Sequence, residues 1–214
     1  MSKLNISIID YQLSNLFSVQ HACEFAGLNA EITSDPKDLY KSHAIILPGV
    51  GAFGDAMKNL QNLGLISPIL EHINSKKPFM GICLGLQLLF DSSEEFGNHK
   101  GLGVIKGKVI KFPNKNLQKK PLKVPQIGWN KIFIQKDASY LKNIKDGEFM
   151  YFVHSFFVIP DEKKVILTKT VYEGMEYTSA ISQNNVFAVQ FHPEKSGPQG
   201  LKIYENFAKI LKKG

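Results

Sequence analysis

The sequence contains no arginine: its 26 basic residues are all lysine, against 19 acidic ones, for a formal net charge of +7. The side chain best shaped for bidentate reading of guanine or phosphate is therefore missing, and no nucleic-acid partner is expected. Cysteine is scarce too. Cys23 and Cys83 stand 60 positions apart without metal-ligand spacing, which argues against a disulfide framework or a zinc site and leaves room for a working thiol. No run of about 18 apolar residues occurs, so no membrane span is expected. The first ten residues hold one lysine and no apolar core followed by small residues, so neither is a secretory signal. A soluble, cytoplasmic protein without metal or cofactor is the expectation.

What is present is ordinary globular material: 214 residues, 43% hydrophobic and 21% charged, enough for one sizeable domain over 1–214. The basicity is local. Residues 97–145 carry twelve lysines and one acid, Asp137, while the remainder holds 14 lysines and 18 acids and is net negative. Such a segment reads either as a solvated lysine-rich surface or as a docking face for an acidic partner or a phosphorylated substrate.

Apolar periodicity gives the organisation. Residues 4–10 read as a strand, followed by a helix with Leu16, Val19, Cys23 and Ala26 on one face and Gly27 as its stop. A second strand at 43–47 ends in Pro48-Gly49-Val50-Gly51, and 57–73 are mostly helical with a break near Gly64. A short buried strand at 78–83 runs into an apolar helix at 84–90. This alternation predicts an α/β fold with a mostly parallel sheet covered on both faces. From Gly97 onward strands dominate, at 104–112, 123–134, 149–159, 165–172, 177–182 and 186–191, with a loop at 113–121. A closing helix places Leu201, Tyr204, Ala208 and Leu211 on one face.

Chemistry concentrates in three stretches. Gly81-Ile82-Cys83-Leu84-Gly85 lies where a strand enters a helix, the arrangement that thrusts a nucleophile from a strained turn, with glycines relieving the crowding. The glycine pattern alone leaves two readings side by side, a thiolate nucleophile and a small buried hydrophobe. Cys23, on a core-facing helix position, reads as core. Phe191-His192-Pro193-Glu194 follows an apolar strand; on an extended segment His192 and Glu194 project to one side, with Pro193 holding the backbone extended. A thiol needs a base that later protonates the leaving amine, and a carboxylate that fixes the imidazole, which favours a Cys83, His192, Glu194 triad. Pro48-Gly49-Val50-Gly51 frees backbone amides to turn outward as oxyanion donors beside the Leu84 N–H, although glycine-rich strand ends are also common turns.

These three motifs, extended by Leu86-Gln87 and by Lys195-Ser196-Gly197, resemble the signatures of the class I (triad) glutamine amidotransferases. Val124 to Asn130 and Tyr151 to Ser155 are similar to stretches of the glutaminase subunits of imidazole glycerol phosphate synthases, and the resemblance spans nearly the whole chain. It implies a flavodoxin-like fold and hydrolysis of L-glutamine to glutamate and ammonia. It further implies a heterodimer with a (β/α)8-barrel synthase (cyclase) subunit that receives the ammonia through a sealed channel and makes imidazole glycerol phosphate and AICAR in histidine biosynthesis. Carried over by position, Cys83 is the nucleophile, His192 the base and acid, and Glu194 its orienter. Gly49, Val50, Gly51 and Leu84 form the oxyanion hole. Gln87, Glu95, His154, Ser155 and Phe156 hold the amino and carboxylate groups of glutamine, while Asn15, Trp129, Tyr151 and Lys195 face the synthase and its ammonia gate. The family usually has His before Met-Gly-Trp-Asn and Gly before the position of Asn15. Here Gln126-Ile127 and Ser14 stand there, and these departures are expected at the interface. Paralogues of the subunit supply ammonia for amidino groups on surface-polysaccharide sugars, the alternative acceptor.

Overall fold

A computed structural model of the protein describes residues 4–13, 16–115 and 118–212. The first half alternates strand and helix: β1 (Asn5–Ile9), α1 (Leu16–Phe25), β2 (Asn29–Thr33), α2 (Pro36–Lys41), β3 (Ala44–Gly49), α3 (Phe53–Asn62), α4 (Ile66–Asn74), β4 (Phe79–Cys83) and α5 (Leu84–Leu88). Strands follow: β5 (Phe90–Ser93), β6 (His99–Lys100), β7 (Ile105–Lys111), β8 (Gln126–Ile134), β9 (Glu148–His154), β10 (Phe156–Pro160), β11 (Ile166–Tyr172), β12 (Met175–Gln183) and β13 (Val186–Val189), before α6 (Gly197–Leu211).

The strands join in the order β2-β1-β3-β4-β13-β12-β10-β7-β5-β6, parallel from β2 through β13. Burial on both faces explains why these strands are apolar throughout. Ile6, Ile8, Ala44, Ile46, Met80, Ile82, Phe187 and Val189 point to the side covered by α1 and α6. Ile9, Ile45, Leu47, Phe79, Val186 and Ala188 point to the side covered by α2 to α5. Cys23 lies in the first of these layers, fully buried, and burial pushes its thiol up to about 12. Gly27 closes α1 at φ +72°, the left-handed position glycine tolerates, with Leu28 N–H returning to the Cys23 carbonyl at 2.9 Å.

Several expectations change in detail. The segment 149–159 is two strands rather than one. β9 pairs with β8, the chain turns at Ser155, and β10 pairs with β7 and β12. β2 and α2, unexpected from the sequence, add an edge strand and a short helix capped by the Asp35 side chain on Lys37 N–H at 2.8 Å. The apolar stretch 84–90 is helical only to Leu88, because Phe90 already enters β5. Among the described residues no helix is long and apolar enough to cross a membrane.

Candidate active site

β4 and β13 are parallel neighbours, so the residues leaving their C-terminal ends meet. Cys83 ends β4 with φ 54° and ψ −107°, a backbone conformation that costs a non-glycine residue about 1–3 kcal/mol and persists only where the surroundings impose it. The tight packing of the turn imposes it, and the flanking glycines permit that packing. A Cβ on Gly85 would lie 1.8 Å from the Leu47 carbonyl oxygen, and one on Gly81 would lie 2.9 Å from the Gly85 carbonyl oxygen, so neither position accepts a side chain.

His192 follows β13, its N–H bonded to the Tyr151 carbonyl at 2.9 Å. Its Nδ1 lies 2.7 Å from Glu194 Oε1, and both side chains are almost fully buried. The geometry differs from the extended segment expected: residues 193–195 form a 3₁₀ turn, and that turn, not alternation along a strand, swings the Glu194 carboxylate under the imidazole. Ser196 locks the turn, its hydroxyl donating to the His192 carbonyl at 2.6 Å and accepting the Tyr151 N–H at 2.9 Å. Burial disfavours the His192 cation, but the Cys83 thiolate and the Glu194 carboxylate outweigh it and raise His192 to about 10. Glu194 accepts the Nδ1 proton, which leaves Nε2 for the sulfur.

A cavity of about 290 Å³ opens beside Cys83. Its walls bring together Val50, Gly51 and Leu84 with Gln87, Glu95, His154, Ser155 and Phe156, the residues expected to hold an oxyanion and an amino acid. Glu95 Oε2 accepts the Phe53 N–H at 2.8 Å, and burial raises its carboxyl above the usual range. Gln87 Nε2 donates to the Phe156 carbonyl at 3.0 Å. His154 Nδ1 donates to the same carbonyl at 2.8 Å, and burial, with the nearby His192 cation, holds His154 down to about 4, so it is neutral at pH 7. Gly49 lies in register with Cys83 across β3 and β4 and is not among the residues that line the cavity.

Val50 departs from the expected oxyanion hole. Its N–H donates to the Leu13 carbonyl at 2.8 Å, so this amide is occupied by the loop after β1. Trp129 and Tyr151 pair across β8 and β9 with ring centroids 6.1 Å apart. Trp129 is 55% exposed, beside exposed Ile127 and Phe149, and Lys195 is exposed as well. Gln126, expected at the interface, faces inward in this chain. It is the inward neighbour of Ile127, buried, and accepts the Tyr177 hydroxyl at 3.0 Å. Asn15 and Ser14 lie outside the described residues. One contributor escaped sequence reasoning altogether: Gln190, whose Nε2 lies 3.6 Å from Cys83 Sγ.

Residues 6–211 match the family described as Glutamine amidotransferase class-I. The chain belongs to the class-I glutamine amidotransferases. Among curated proteins this amidotransferase is similar to "Imidazole glycerol phosphate synthase subunit HisH" of Aquifex aeolicus, at 48% identity over 207 residues, covering 96% of this chain and 97% of that one. The same subunit of Syntrophotalea carbinolica is 48% identical over 203 residues, covering 94% and 98%. Solved structures share the amidotransferase fold at low identity. PurLQS from Thermotoga maritima superposes with a TM-score of 0.74 at 20% identity, covering 98% of this chain and 99% of that one. The glutaminase domain of Trypanosoma brucei CTPS gives 0.70 at 17% identity, covering 98% and 94%.

Proposed function

We propose that this class-I amidotransferase is the glutaminase subunit of an imidazole glycerol phosphate synthase, releasing ammonia from glutamine for a barrel-shaped cyclase partner in histidine biosynthesis. The observation that carries the chemistry is the buried His192–Glu194 pair, near enough for Cys83 to raise the imidazole, with Cys83 lining a cavity sized for an amino acid. Full-length similarity to the HisH subunits carries the choice of acceptor.

In this reading His192 Nε2 takes the Cys83 proton and the thiolate adds to the γ-amide carbon of glutamine. The negative charge moves to the former carbonyl oxygen, where the Leu84 N–H and a turned Val50 N–H receive it. Collapse of this intermediate breaks the C–N bond, His192 returns its proton to the leaving nitrogen, and ammonia departs from a thioester on Cys83. Water, deprotonated by His192, adds to the thioester; glutamate leaves and the sulfur takes back the proton. Glu194 keeps the imidazole in the tautomer that presents Nε2 to the sulfur. Gln87, Glu95 and the 154–156 backbone hold the α-amino and α-carboxylate groups. The exposed face of Trp129, Tyr151 and Lys195 meets the partner.

The testing experiment replaces Cys83 by Ala. Glutamine-dependent synthesis by the assembled enzyme should vanish, while synthesis from added ammonium salt continues; unchanged glutamate release would sink the triad. Deleting the gene should make the cell require histidine, and growth without histidine in a cell holding no second copy would instead favour the sugar-amidination acceptor.

A further inference from the structure

Gln190 is fully buried just beyond β13, two residues before His192. Its N–H is held by the Ser179 carbonyl of β12 at 2.8 Å, so the backbone beneath the side chain is fixed. The side chain reaches in two directions, with Nε2 3.6 Å from Cys83 Sγ and Oε1 3.1 Å from Gln87 Nε2.

The partners dictate which end of each carboxamide is which. A carbonyl only accepts, so the Gln87 atom 3.0 Å from the Phe156 carbonyl oxygen is the amino nitrogen. The second hydrogen of that nitrogen is directed at Gln190, which must meet it with its carbonyl oxygen. The amino group of Gln190 is thereby turned toward the sulfur. Two amino donors and two carbonyl acceptors alternate along this chain up to the sulfur, so neither amide can flip without placing like ends together.

The surroundings of Sγ give this orientation a use. The Val153 carbonyl, 3.9 Å away, faces the sulfur with an acceptor, which suits the thiol and repels the thiolate. Among the hydrogen bonds described, the carboxamide of Gln190 is the group that faces it with an N–H hydrogen, while His192 lies near enough to feel its charge. We propose that Gln190 is a catalytic residue of the glutaminase reaction, its carboxamide donating to the Cys83 thiolate and tying that sulfur, through Gln87, to the wall of the substrate cavity. The inference rests on the reading of Cys83 as nucleophile. A neutral donor to a charged sulfur in a buried site favours the ionised form, and its removal is expected to cut the ionised fraction, and with it the observed reactivity of Cys83, by about 10- to 100-fold. Because Gln87 lines the cavity, glutamine bound there meets the same chain that orients the sulfur. Gln190 itself does not line the cavity, and Gln87 keeps its bond to the Phe156 carbonyl without it, so its loss falls more on turnover than on binding.

The test is Gln190→Met, which preserves length and apolar bulk and removes the donor. Alkylation of Cys83 by iodoacetamide in the full chain at pH 7, followed by mass spectrometry of the Cys83 peptide, should slow about tenfold or more. In the assembled synthase kcat should fall by a similar factor while KM for glutamine stays within about threefold. Alkylation and kcat within twofold of wild type in a folded Gln190→Met protein overturn the inference. If Gln190→Met does not fold, the side-chain amide resonance of Gln190 in the ¹⁵N-labelled wild-type chain decides. It should shift with pH and stay still in Cys83→Ala, and a resonance that does not shift in wild type overturns the inference. The two levels separate cleanly: an active Cys83→Ala enzyme removes the nucleophile itself, whereas an inactive Cys83→Ala beside a fully active Gln190→Met removes only the role of Gln190.

Discussion

The Val50 N–H donates to the Leu13 carbonyl at 2.8 Å, so the glycine-rich exit of β3 is tied back to the loop that follows β1. In this conformation the amide that would complete an oxyanion hole is engaged elsewhere. Gly51, at φ +93°, and Gly49 bracket Val50, so its peptide can turn without moving a side chain on either neighbour. The isolated chain is therefore expected to hydrolyse glutamine slowly, and a partner that contacts the loop after β1 should release the amide. Loss of one oxyanion donor costs about 10²- to 10³-fold. Glutamate release should rise by that order when the synthase subunit is added, and strong activity in the chain alone would contradict the assignment of this amide.

The elbow gives a stability prediction. Gly85 faces the Leu47 carbonyl oxygen so closely that an added Cβ would stand 1.8 Å from it, and the obstacle is backbone rather than a side chain that can swing aside. Gly85→Ala should destabilise the chain by about 1–3 kcal/mol in urea unfolding and abolish glutaminase activity by displacing Cys83. Full activity in that variant would show that the turn relaxes at no cost to the nucleophile.

Acid should destabilise the protein for a reason unrelated to catalysis. His72 and His154 are both held down to about 4, burial being the largest cause for each. Their folded values lie below the unfolded one near 6.5, so between these limits the unfolded chain binds more protons and stability falls as pH falls. From pH 7 to 5 each histidine should cost about 2 kcal/mol. His72 separates this effect from the site. Its Nε2 donates to the Pro78 carbonyl at 3.1 Å, and the carboxamide in His72→Gln can replace that donor without titrating. Urea unfolding of His72→Gln at the two pH values should show a shallower loss than wild type, and an equal loss would contradict the assignment.

How far the sequence foretold the site depends on what kind of signal each residue leaves. Cys83 and its glycines were legible because steric crowding at an elbow admits few residue types, and the parallel strands because burial on both faces makes them apolar without interruption. β2 was not: Asn29–Thr33 has two apolar residues and lies at the edge of the sheet, so it lacks the pattern of its neighbours. His192 and Glu194 were rightly paired through the wrong geometry, since spacing alone does not distinguish a strand from a 3₁₀ turn opened by proline. Gln190 was illegible because a buried carboxamide declares itself only through its partners, here Gln87 and Cys83, which lie 103 and 107 positions away along the chain. The lysine-rich segment also resolves differently in space. Lys131 covers the Phe149 ring on the exposed β8–β9 face, whereas Lys106 pairs with Asp91 and lines a cavity with Gln183 and Asn184, at the end of the sheet opposite Cys83.

That division sharpens the prediction for docking. The exposed sheet face carries Ile127, Trp129 and Lys131 from β8 opposite Phe149, Tyr151 and Val153 from β9, and it runs without interruption to the cavity that Val153 lines. Apolar aromatics at the centre of such a face, with lysines at its rim, fit an interface whose affinity comes from buried rings and whose encounter rate comes from charge. Trp129→Ala should weaken binding of the synthase subunit by about 2 kcal/mol or more, roughly 30-fold, chiefly through faster dissociation. Lys195→Ala should act mainly on association: the wild-type on-rate should fall as salt rises past about 0.1 M, where the Debye length is about 10 Å, and the variant should show a flatter salt dependence. Surface plasmon resonance with the synthase subunit immobilised reads both. Binding indifferent to Trp129→Ala would move the docking face away from β8 and β9, and an unchanged salt slope in Lys195→Ala would remove Lys195 from its charged rim.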